Sequence, residues 1–330
     1  MSDHIRQQVR SVEAFVLKNK RDTQVTVLNL GGIVHEFVLN ASTRPENLLV
    51  CCNPVSDYLV NPFNINKQIG RVAGRIAQGR FELEGKTYQV EQNNGSNCLH
   101  GGSRGMGNQW FTGCKLAPNK VRLNLTLTPQ MDGFPGTLEL VIDYLLTDDN
   151  QLKISYTATA TQQATVFDPT IHTYWQINPL TANLRINGQH WRLDENQLPV
   201  APDEREIYNF QNGKNLQTAL QALRQTLEQS NAGYDEVYQV NAEPNLASPI
   251  AELHVPHMYD LKVYSDRNAL VMFTANPLDV AAHDEGLFDS IALEPQTLPN
   301  SLNRPEFGQI RLMPGQTHKS QIVFAVSALK

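Results

Sequence analysis

Cysteine is scarce in this sequence, and its spacing excludes the usual roles of cysteine clusters. The 330 residues contain four, Cys51, Cys52, Cys98 and Cys114, of which two are adjacent and none forms a CxxC pair. This pattern argues against a disulfide framework and against a zinc knuckle. It favours a reducing compartment, and we expect the cytoplasm.

Long apolar segments and blocks of like charge are also missing. No apolar run approaches the length of a membrane span, and the polar N-terminus MSDHIRQQVR lacks the apolar stretch of a signal peptide. The formal net charge is only −6, and Lys and Arg are not clustered. We therefore expect no nucleic-acid and no membrane partner. A monomer or a homodimer is expected.

Several functional motifs do not occur. There is no GxGxxG or Walker loop, so no nucleotide cofactor is indicated, and no GxSxG elbow of a serine hydrolase. His254 and His257 form HVPH, a spacing that tolerates a metal. Because Pro256 prevents the two histidines from sharing a helix face, a solvated loop is the preferred interpretation.

Strict alternation of apolar and polar residues dominates what is present. It is clearest at 121–128 and 152–160, and it predicts strands with one buried face. Residues 138–146 and 321–329 are predicted to form further strands. Turn-forming pairs separate such segments: NNG at 93–95, DG at 132–133, PG at 135–136 and 314–315, and NG at 187–188 and 212–213. The pattern predicts an all-β sandwich or barrel.

One segment has helical periodicity instead. Apolar residues recur at helical spacing from about Asn215 to Gln229, which predicts one short helical excursion packed on the sheets. With 41% hydrophobic residues the chain can bury a large core. No repeat, linker or break in composition is visible, so a single domain over 1–330 is expected.

Two histidines attract attention through their neighbours. His172 lies in DPTIHTYWQIN, among β-branched and aromatic residues, and can be a core histidine or a proton carrier. His100 precedes Gly101 and Gly102, which allow a sharp turn or a close backbone approach to a ligand. It can equally cap a hairpin.

Charged residues supply further candidates with open alternatives. Glu294, with apolar neighbours in ALEPQ, needs donors or a charge partner once buried, and can be a structural ion pair. Asp235, in AGYDEVY, can be a turn after the helix. Arg71 and Arg75, four residues apart in IGRVAGRI, would share one face of a strand and can hydrogen-bond sugar hydroxyls or lie at the surface.

Five of these motifs occur in an order that resembles the aldose 1-epimerases, also called galactose mutarotases. They are GRVAGRI, NGSNCLHGG, PTIHTYW, AGYDE and ALEPQTLPNSLNRPEF, and the resemblance extends from about Leu28 to Pro314. It implies a large antiparallel β-sandwich of the galactose-mutarotase type, with the sugar in an open cleft. It also implies interconversion of the α- and β-anomers of a free aldohexose, galactose or glucose, without metal or cofactor.

The resemblance further implies roles for particular residues. By motif match Glu294 resembles the general base, His172 the general acid and His100 the second active-site histidine. Arg75 resembles the sugar-binding arginine and Asp235 the aspartate that binds sugar hydroxyls.

Two further residues are expected to contact the substrate, and three positions depart from the family. Trp175, or in its place Tyr174 or Trp110, can offer a flat apolar face to the sugar, and Asn276 stands in the place of a glutamine often found late in the family's site. Gly74 and Ile171 both stand where the family usually has Asn. These departures affect the sugar contacts more than the acid and the base.

The reaction itself defines what the site needs. A base removes the proton of the C1 hydroxyl while an acid protonates the ring oxygen; the ring opens, C1–C2 rotates, and the ring closes on the other face. The alternatives are a mutarotase for a disaccharide or a hexose 6-phosphate, a carbohydrate-binding homologue without turnover, and a metal-dependent lyase using His100, His172 and Glu294. For a phosphate, Arg71, Arg75, Arg80 and Arg104 are the candidates.

Overall fold

Strands form most of the regular structure in the computed structural model, which describes residues 11–240 and 246–329. The largest sheet has nine antiparallel strands. In spatial order they are Thr112–Ala117, Lys120–Leu127, Leu138–Leu146, Gln151–Ala160, Thr317–Ala328, Tyr259–Ser265, Ala251–Val255, Asn183–Ile186 and Lys214–Asn215.

A six-stranded antiparallel sheet provides the second layer. Its strands, in spatial order, are Tyr174–Gln176, Ser290–Gln296, Ala269–Ala275, Asp235–Val240, Gly188–Leu193 and Pro199–Pro202. An N-terminal sheet of four strands adds to the sandwich. These are Ala14–Lys18, Gln24–Leu28, Val34–Leu39 and Glu46–Asn47.

Short strand pairs and helices complete the described part of the chain. The pairs are Gln68–Ile69 with Thr170–Ile171, Arg75–Ile76 with Cys98–Leu99, Arg80–Leu83 with Lys86–Gln89, and Thr165–Val166 with Arg311–Leu312. The α-helices are Pro129–Asp132, Leu216–Leu227 and Val280–Asp284. Single 3₁₀ turns lie at Val55–Leu59, Ala77–Gly79, Met106–Asn108, Glu206–Tyr208 and Pro305–Phe307. No helix of this part is long and apolar enough to span a membrane.

The main core lies between the sheets and is built from alternate residues of their strands. Along Leu138–Leu146 every second side chain, from Leu138 to Leu146, is buried, and the same holds along Gln151–Ala160. The helix Leu216–Leu227 packs its apolar face on this core through Leu216, Ala219, Leu220 and Leu223. Burial of one strand face is what fixes strand register, since a slip of one residue would turn every apolar side chain outward.

The predicted fold class is therefore confirmed, with small differences in the boundaries. The strand predicted at 138–146 has those limits, whereas the one predicted from 321 begins at Thr317. The predicted helix starts at Leu216, because the side chain of Asn215 caps it by accepting the Thr218 N–H. The solvated loop predicted at HVPH is only partly correct: His257 lies in a turn, whereas His254 is exposed on the strand Ala251–Val255 and pairs with Asp260 across the hairpin.

Arg71 was predicted to bind substrate from a strand face shared with Arg75, and the structure contradicts this. The segment between them is not a regular strand, so period-2 alternation does not apply. The guanidinium of Arg71 is fully buried and forms two hydrogen bonds, of 2.7 and 2.8 Å, to the carboxylate of Asp132. It also donates to the carbonyl oxygens of Pro135 and Gly136. Arg71 therefore ties two loops together in the interior.

Removing one partner of this ion pair leaves a buried charge alone, so we expect Arg71→Leu to lower the free energy of unfolding by about 3–5 kcal/mol. Urea unfolding would measure this. The matched control is Arg122→Leu, which breaks a similar bidentate contact to Asp143 at a position 43% exposed. It should cost no more than about 1 kcal/mol. Equal losses for the two variants would contradict the structural role of Arg71.

Candidate active site

A cleft of about 160 Å³ opens on the face of the six-stranded sheet that points away from the main core. Alternate residues of three adjacent strands form its floor. They are Asp235 and Val237, Val271 and Phe273, and Glu294 and Gln296. In the register of these strands, Val271 lies opposite Glu294 and Phe273 lies opposite Asp235. The hydrogen-bonded pairing of these strands therefore brings the carboxylates of Asp235 and Glu294 to the same surface of the sheet.

The strand Ser290–Gln296 is buried at all seven positions because it has two occupied faces. Ile291 and Leu293 belong to the main core, whereas Glu294 and Gln296 line the cleft. The apolar residues next to Glu294 in the sequence point to the opposite face of the strand, so they do not surround its carboxylate. Local sequence around Glu294 looks apolar for this reason.

The backbone of His172 is fixed on both sides by an adjacent segment. Its N–H donates to the carbonyl oxygen of Lys67 (3.0 Å), and its own carbonyl oxygen accepts from the N–H of Asn66 (2.9 Å). The imidazole stacks on the ring of Tyr174, with centroids 4.9 Å apart and an interplanar angle of 22°. These contacts hold the ring in one orientation, so that Nε2 reaches the strand of Glu294.

Nε2 of His172 lies 3.3 Å from Oε1 of Glu294. Both residues are almost fully buried, at 5% and 1% exposure. Burial lowers the pKa of His172 to about 4. It raises the pKa of Glu294 well above its ordinary value, and Asp235 nearby contributes to the increase. Each group on its own thus favours its neutral form, and a proton can pass between them across one short contact.

His100 lies at the edge of this pair with its ring 5.5 Å from that of His172. Its backbone is left-handed, with φ of 55°, and the following Gly101 approaches the carbonyl oxygen of Gly70 so closely that a Cβ would lie 2.3 Å from it. Only glycine fits at that place, so the paired glycines of CLHGG serve a close backbone approach. This approach holds His100 against the cleft.

Hydrogen bonding assigns the tautomer of His100. Its Nδ1 accepts the backbone N–H of Gly74 at 3.2 Å, so in the neutral ring the proton resides on Nε2. The neutral form is favoured because burial, followed by His172 and Arg75, lowers the pKa of His100 well below its ordinary value. His100 therefore presents a hydrogen-bond donor to the cleft.

The same tautomer bears on whether the site suits a metal. One potential ligand atom from each of His100, His172 and Glu294 lies within 4.8 Å of the others, and two histidines with one glutamate form a familiar zinc-binding set. A metal-bound histidine donates its second N–H to an acceptor. Here Gly74 offers a donor to His100 instead, which leaves no lone pair for a metal. These residues do not fit a metal centre.

Arg75 also lines the cleft and forms an ion pair with Asp235 of its floor. Nη2 of Arg75 is 3.7 Å from Oδ2 of Asp235, and the side chains are 17% and 44% exposed. Nε of Arg75 donates to Oδ1 of Asn94 at 3.0 Å, which fixes the guanidinium. Of the predicted site residues, His100, His172, Glu294, Arg75 and Asp235 therefore meet at one cleft.

Trp175 and Asn276 were predicted to contact substrate, and both lie away from the cleft. Trp175 pairs with Ile291 and turns into the main core, where it meets Phe37, Tyr259 and Phe324. Its neighbour Tyr174 alternates to the opposite face and lines the cleft. Asn276 follows the strand Ala269–Ala275 and donates to the carbonyl oxygen of Leu287. Strand alternation thus reverses the prediction for Trp175.

Sequence reasoning missed several lining residues, among them Phe63, Asn64, Phe273 and Gln296. Gln296 had a usable signal, because a residue two places after Glu294 on a strand must share its face. Phe273 becomes visible only through the register with Asp235. Phe63 and Asn64 belong to the loop after Val55–Leu59 and carry no periodic signal.

The fold is the β-sandwich of the galactose-mutarotase type. A crystal structure of galactose 1-epimerase from Lactobacillus acidophilus matches with a TM-score of 0.83 at 25% identity, covering 98% of this chain and 97% of that one. An aldose epimerase homologue from C. elegans matches with a TM-score of 0.86 at 21% identity, over 97% and 100% of the two chains.

The chain belongs to the aldose 1-epimerase family, whose sequence profile matches residues 13–325. It is 34% identical over 323 residues to the maltose epimerase of Levilactobacillus brevis, which covers 93% of this chain and 92% of the relative. It is also 29% identical to an aldose 1-epimerase of Streptococcus thermophilus, over 95% and 94% of the two chains. The protein is an isomerase of this family.

The raised pKa of Glu294 predicts a stability effect with a definite sign. A carboxyl whose folded-state pKa is raised stabilises the fold below its unfolded pKa and loses this contribution as the pH rises through the folded value. Glu294→Gln removes that loss. We expect the variant to gain stability over wild type progressively as the pH rises from about 4.5, the ordinary value of the group, as followed by urea unfolding.

The control for this prediction is Glu306→Gln. Glu306 is exposed, and its hydrogen bond to Arg304 lowers its pKa, so its replacement should give no such gain. A Glu294→Gln variant that loses stability relative to wild type between pH 5 and 8 would show that Glu294 is ionised and stabilised in the folded protein.

Proposed function

We propose that the protein interconverts the anomers of a free aldose, an aldohexose such as galactose or glucose, with Glu294 as base and His172 as acid. The observation that carries the proposal is the 3.3 Å contact between Oε1 of Glu294 and Nε2 of His172 at the floor of the cleft. Ring opening needs a base for the C1 hydroxyl and an acid for the ring oxygen, two oxygens bonded to the same carbon. Adjacent acid and base groups suit that geometry.

In the first step the carboxylate of Glu294 takes the proton of the C1 hydroxyl. The electron pair of that O–H bond forms the C=O bond of the aldehyde, and the bond from C1 to the ring oxygen breaks. The imidazolium of His172 gives its proton to the departing ring oxygen. Rotation about C1–C2 then presents the other face, and the reverse transfers close the ring as the opposite anomer.

Catalysis needs one dissociable proton shared between Glu294 and His172, and the surroundings of the two side chains favour this protonation state. In the sugar-free cleft burial favours the proton on Glu294 and a neutral His172. Transfer across their contact produces the carboxylate and the imidazolium. A sugar hydroxyl that donates to the carboxylate, and the nearby Arg75, favour that ionised form. The sum of protons is restored after every turnover, so no external acid or base is consumed.

The remaining polar residues hold the sugar so that both transfers align. His100 donates from Nε2 to a sugar oxygen beside the reacting carbon. Arg75 and Asp235 lie 3.7 Å apart and offer a donor fork and an acceptor to ring hydroxyls. Tyr174, Phe63 and Phe273 supply apolar faces for the C–H bonds of the sugar.

A disaccharide with a free reducing end is the second candidate substrate, because the relative that shares 34% identity is named maltose epimerase. A hexose 6-phosphate has less support. Among the described residues that line the cleft, Arg75 is the one Lys or Arg, and it already faces Asp235. Arg71 is buried against Asp132, and Arg80 and Arg104 line other parts of the surface. Rates with glucose, galactose, maltose and glucose 6-phosphate would rank these substrates.

Replacement of either member of the pair should slow mutarotation by about 10²–10⁴-fold, the contribution of one positioned proton transfer. Polarimetry of freshly dissolved α-glucose and α-galactose would compare Glu294→Gln and His172→Asn with wild type above the buffer rate. The control is His254→Asn, an exposed histidine in a strand away from the cleft, which should retain the wild-type rate.

Equal rates for Glu294→Gln and wild type would refute the assignment of the base. Sugar binding by wild type without acceleration of mutarotation would support the carbohydrate-binding alternative instead. Loss of activity on treatment with a chelator would contradict the metal-free reaction.

The apparent pKa values in the pH dependence of kcat/KM should be those of the coupled pair Glu294 and His172, not those of an ordinary glutamate and an ordinary histidine. The active form has one proton on the pair, so the acid limb marks loss of the first proton from the doubly protonated state. Burial lowers the pKa of His172 to about 4 and raises the pKa of Glu294 well above its ordinary value. The pair therefore keeps its one proton over a wide range, and we expect activity to persist from below pH 6 to above pH 6.5. An isolated acid with the ordinary histidine pKa of 6.5 would instead lose activity above that pH. Rates at each pH, corrected for buffer catalysis, would decide.

A further inference from the structure

Gln296 is a buried side chain without partners at the floor of the cleft. It is 0% exposed, and among the described residues neither Nε2 nor Oε1 of its amide has a hydrogen-bond partner. Buried amide groups are nearly always paired, because an unpaired one loses its hydration without compensation. An unpaired amide in a ligand cleft therefore indicates a partner that the free protein lacks.

The strand geometry aims this amide at the same space as the acid and base. Gln296 follows Glu294 by two residues, so both side chains leave the same face of Ser290–Gln296. Oε2 of Glu294 is likewise without a partner among the described residues. The two unpaired groups are thus neighbours along one strand, and the ring of one bound sugar can contact both.

A glycine packs directly against the amide. Gly74 has a φ of 67°, and a Cβ built on it would lie 3.3 Å from Oε1 of Gln296 and 3.1 Å from Cβ of Pro299. A side chain at this position would therefore crowd the amide oxygen. Glycine at position 74 lets Gln296 keep its place among the residues that line the cleft.

A second buried glutamine shows how the chain pairs an amide that serves structure. Gln68 is also 0% exposed, but its Nε2 donates to the hydroxyl of Tyr144 (2.8 Å) and its Oε1 accepts from that of Tyr156 (2.7 Å). Both of its polar groups are used inside the core. Gln296 differs because it lines the cleft and neither of its polar groups has a partner among the described residues.

We propose that Gln296 is a specificity-determining residue that hydrogen-bonds two adjacent hydroxyls of the sugar, donating from Nε2 to one and accepting at Oε1 from the other. This rests on the proposed function. A neutral amide carries one donor and one acceptor side by side, which matches a vicinal pair of hydroxyls, each able to donate and to accept. A polar group left unpaired by the wrong substrate discriminates strongly against a sugar that lacks the contacted hydroxyl.

The test compares wild type, Gln296→Met and Gln68→Met in mutarotation of D-glucose and its 2-, 3-, 4- and 6-deoxy derivatives. For wild type, kcat/KM should fall more for the two derivatives that lack one or the other of two adjacent hydroxyls than for the remaining deoxy derivatives. Gln296→Met, which keeps length and loses both hydrogen bonds, should raise KM for glucose roughly ten- to hundredfold. Its ratio of kcat/KM between glucose and those two derivatives should fall toward one.

Thermal unfolding without sugar supplies a readout that distinguishes binding from structure. Gln68→Met should lower Tm, because it leaves two tyrosine hydroxyls unpaired, and it should retain the wild-type deoxy-sugar ratios. Gln296→Met should keep or raise Tm, because it removes an unpaired amide. A fall in Tm for Gln296→Met together with unchanged ratios would overturn the inference.

The outcomes also separate this inference from the proposed function. If wild type accelerates no aldose, the proposed function fails and this inference fails with it. If wild type is active and Gln296→Met keeps its KM and ratios, only the inference fails. Should Gln296→Met not fold, the deoxy series on wild type decides: no adjacent pair of hydroxyls with a greater than tenfold effect would refute the contact.

Discussion

The register between Ser290–Gln296 and Ala269–Ala275 is the constraint on which the site depends. Backbone hydrogen bonds set Glu294 opposite Val271 and so direct it into the cleft beside His172. A slip of one residue would turn Glu294 into the main core and Leu293 into the cleft. The apolar side chains on the core face make such a slip costly. Hydrophobic burial on one side of the sheet thereby positions proton chemistry on the other.

Several polar atoms of the cleft have no partner in the free protein. Among the described residues, Oε2 of Glu294, Nδ1 of His172 and the amide of Gln296 are buried and unpaired. Such groups lower stability until a ligand pairs them. Water has little access to these atoms, which strengthens their electrostatic interaction with a bound ligand. Rigid backbone contacts at His172 keep the groups in place while they are unpaired.

Much of the fold was predictable from the sequence, whereas the composition of the site was only partly so. Alternation predicted the long strands because each buries one face, and the helix was visible from its 3.6-residue period. Periodicity carries no information on which strands are neighbours, so Phe273 could not be placed. Arg71 was misplaced because its segment is irregular, and Trp175 because one step along a strand reverses the face. The grouping of His100, His172 and Glu294 was expected from ordered motifs, not from any local spacing.

The two faces of Ser290–Gln296 also bear on how such a protein can change over evolutionary time. Residues 291 and 293 pack in the main core, while residues 294 and 296 line the cleft. A substitution on one face leaves the packing of the other face nearly unchanged. Residues that line the cleft can therefore change during evolution without disturbing the neighbouring core, because the two faces of one short strand are selected separately.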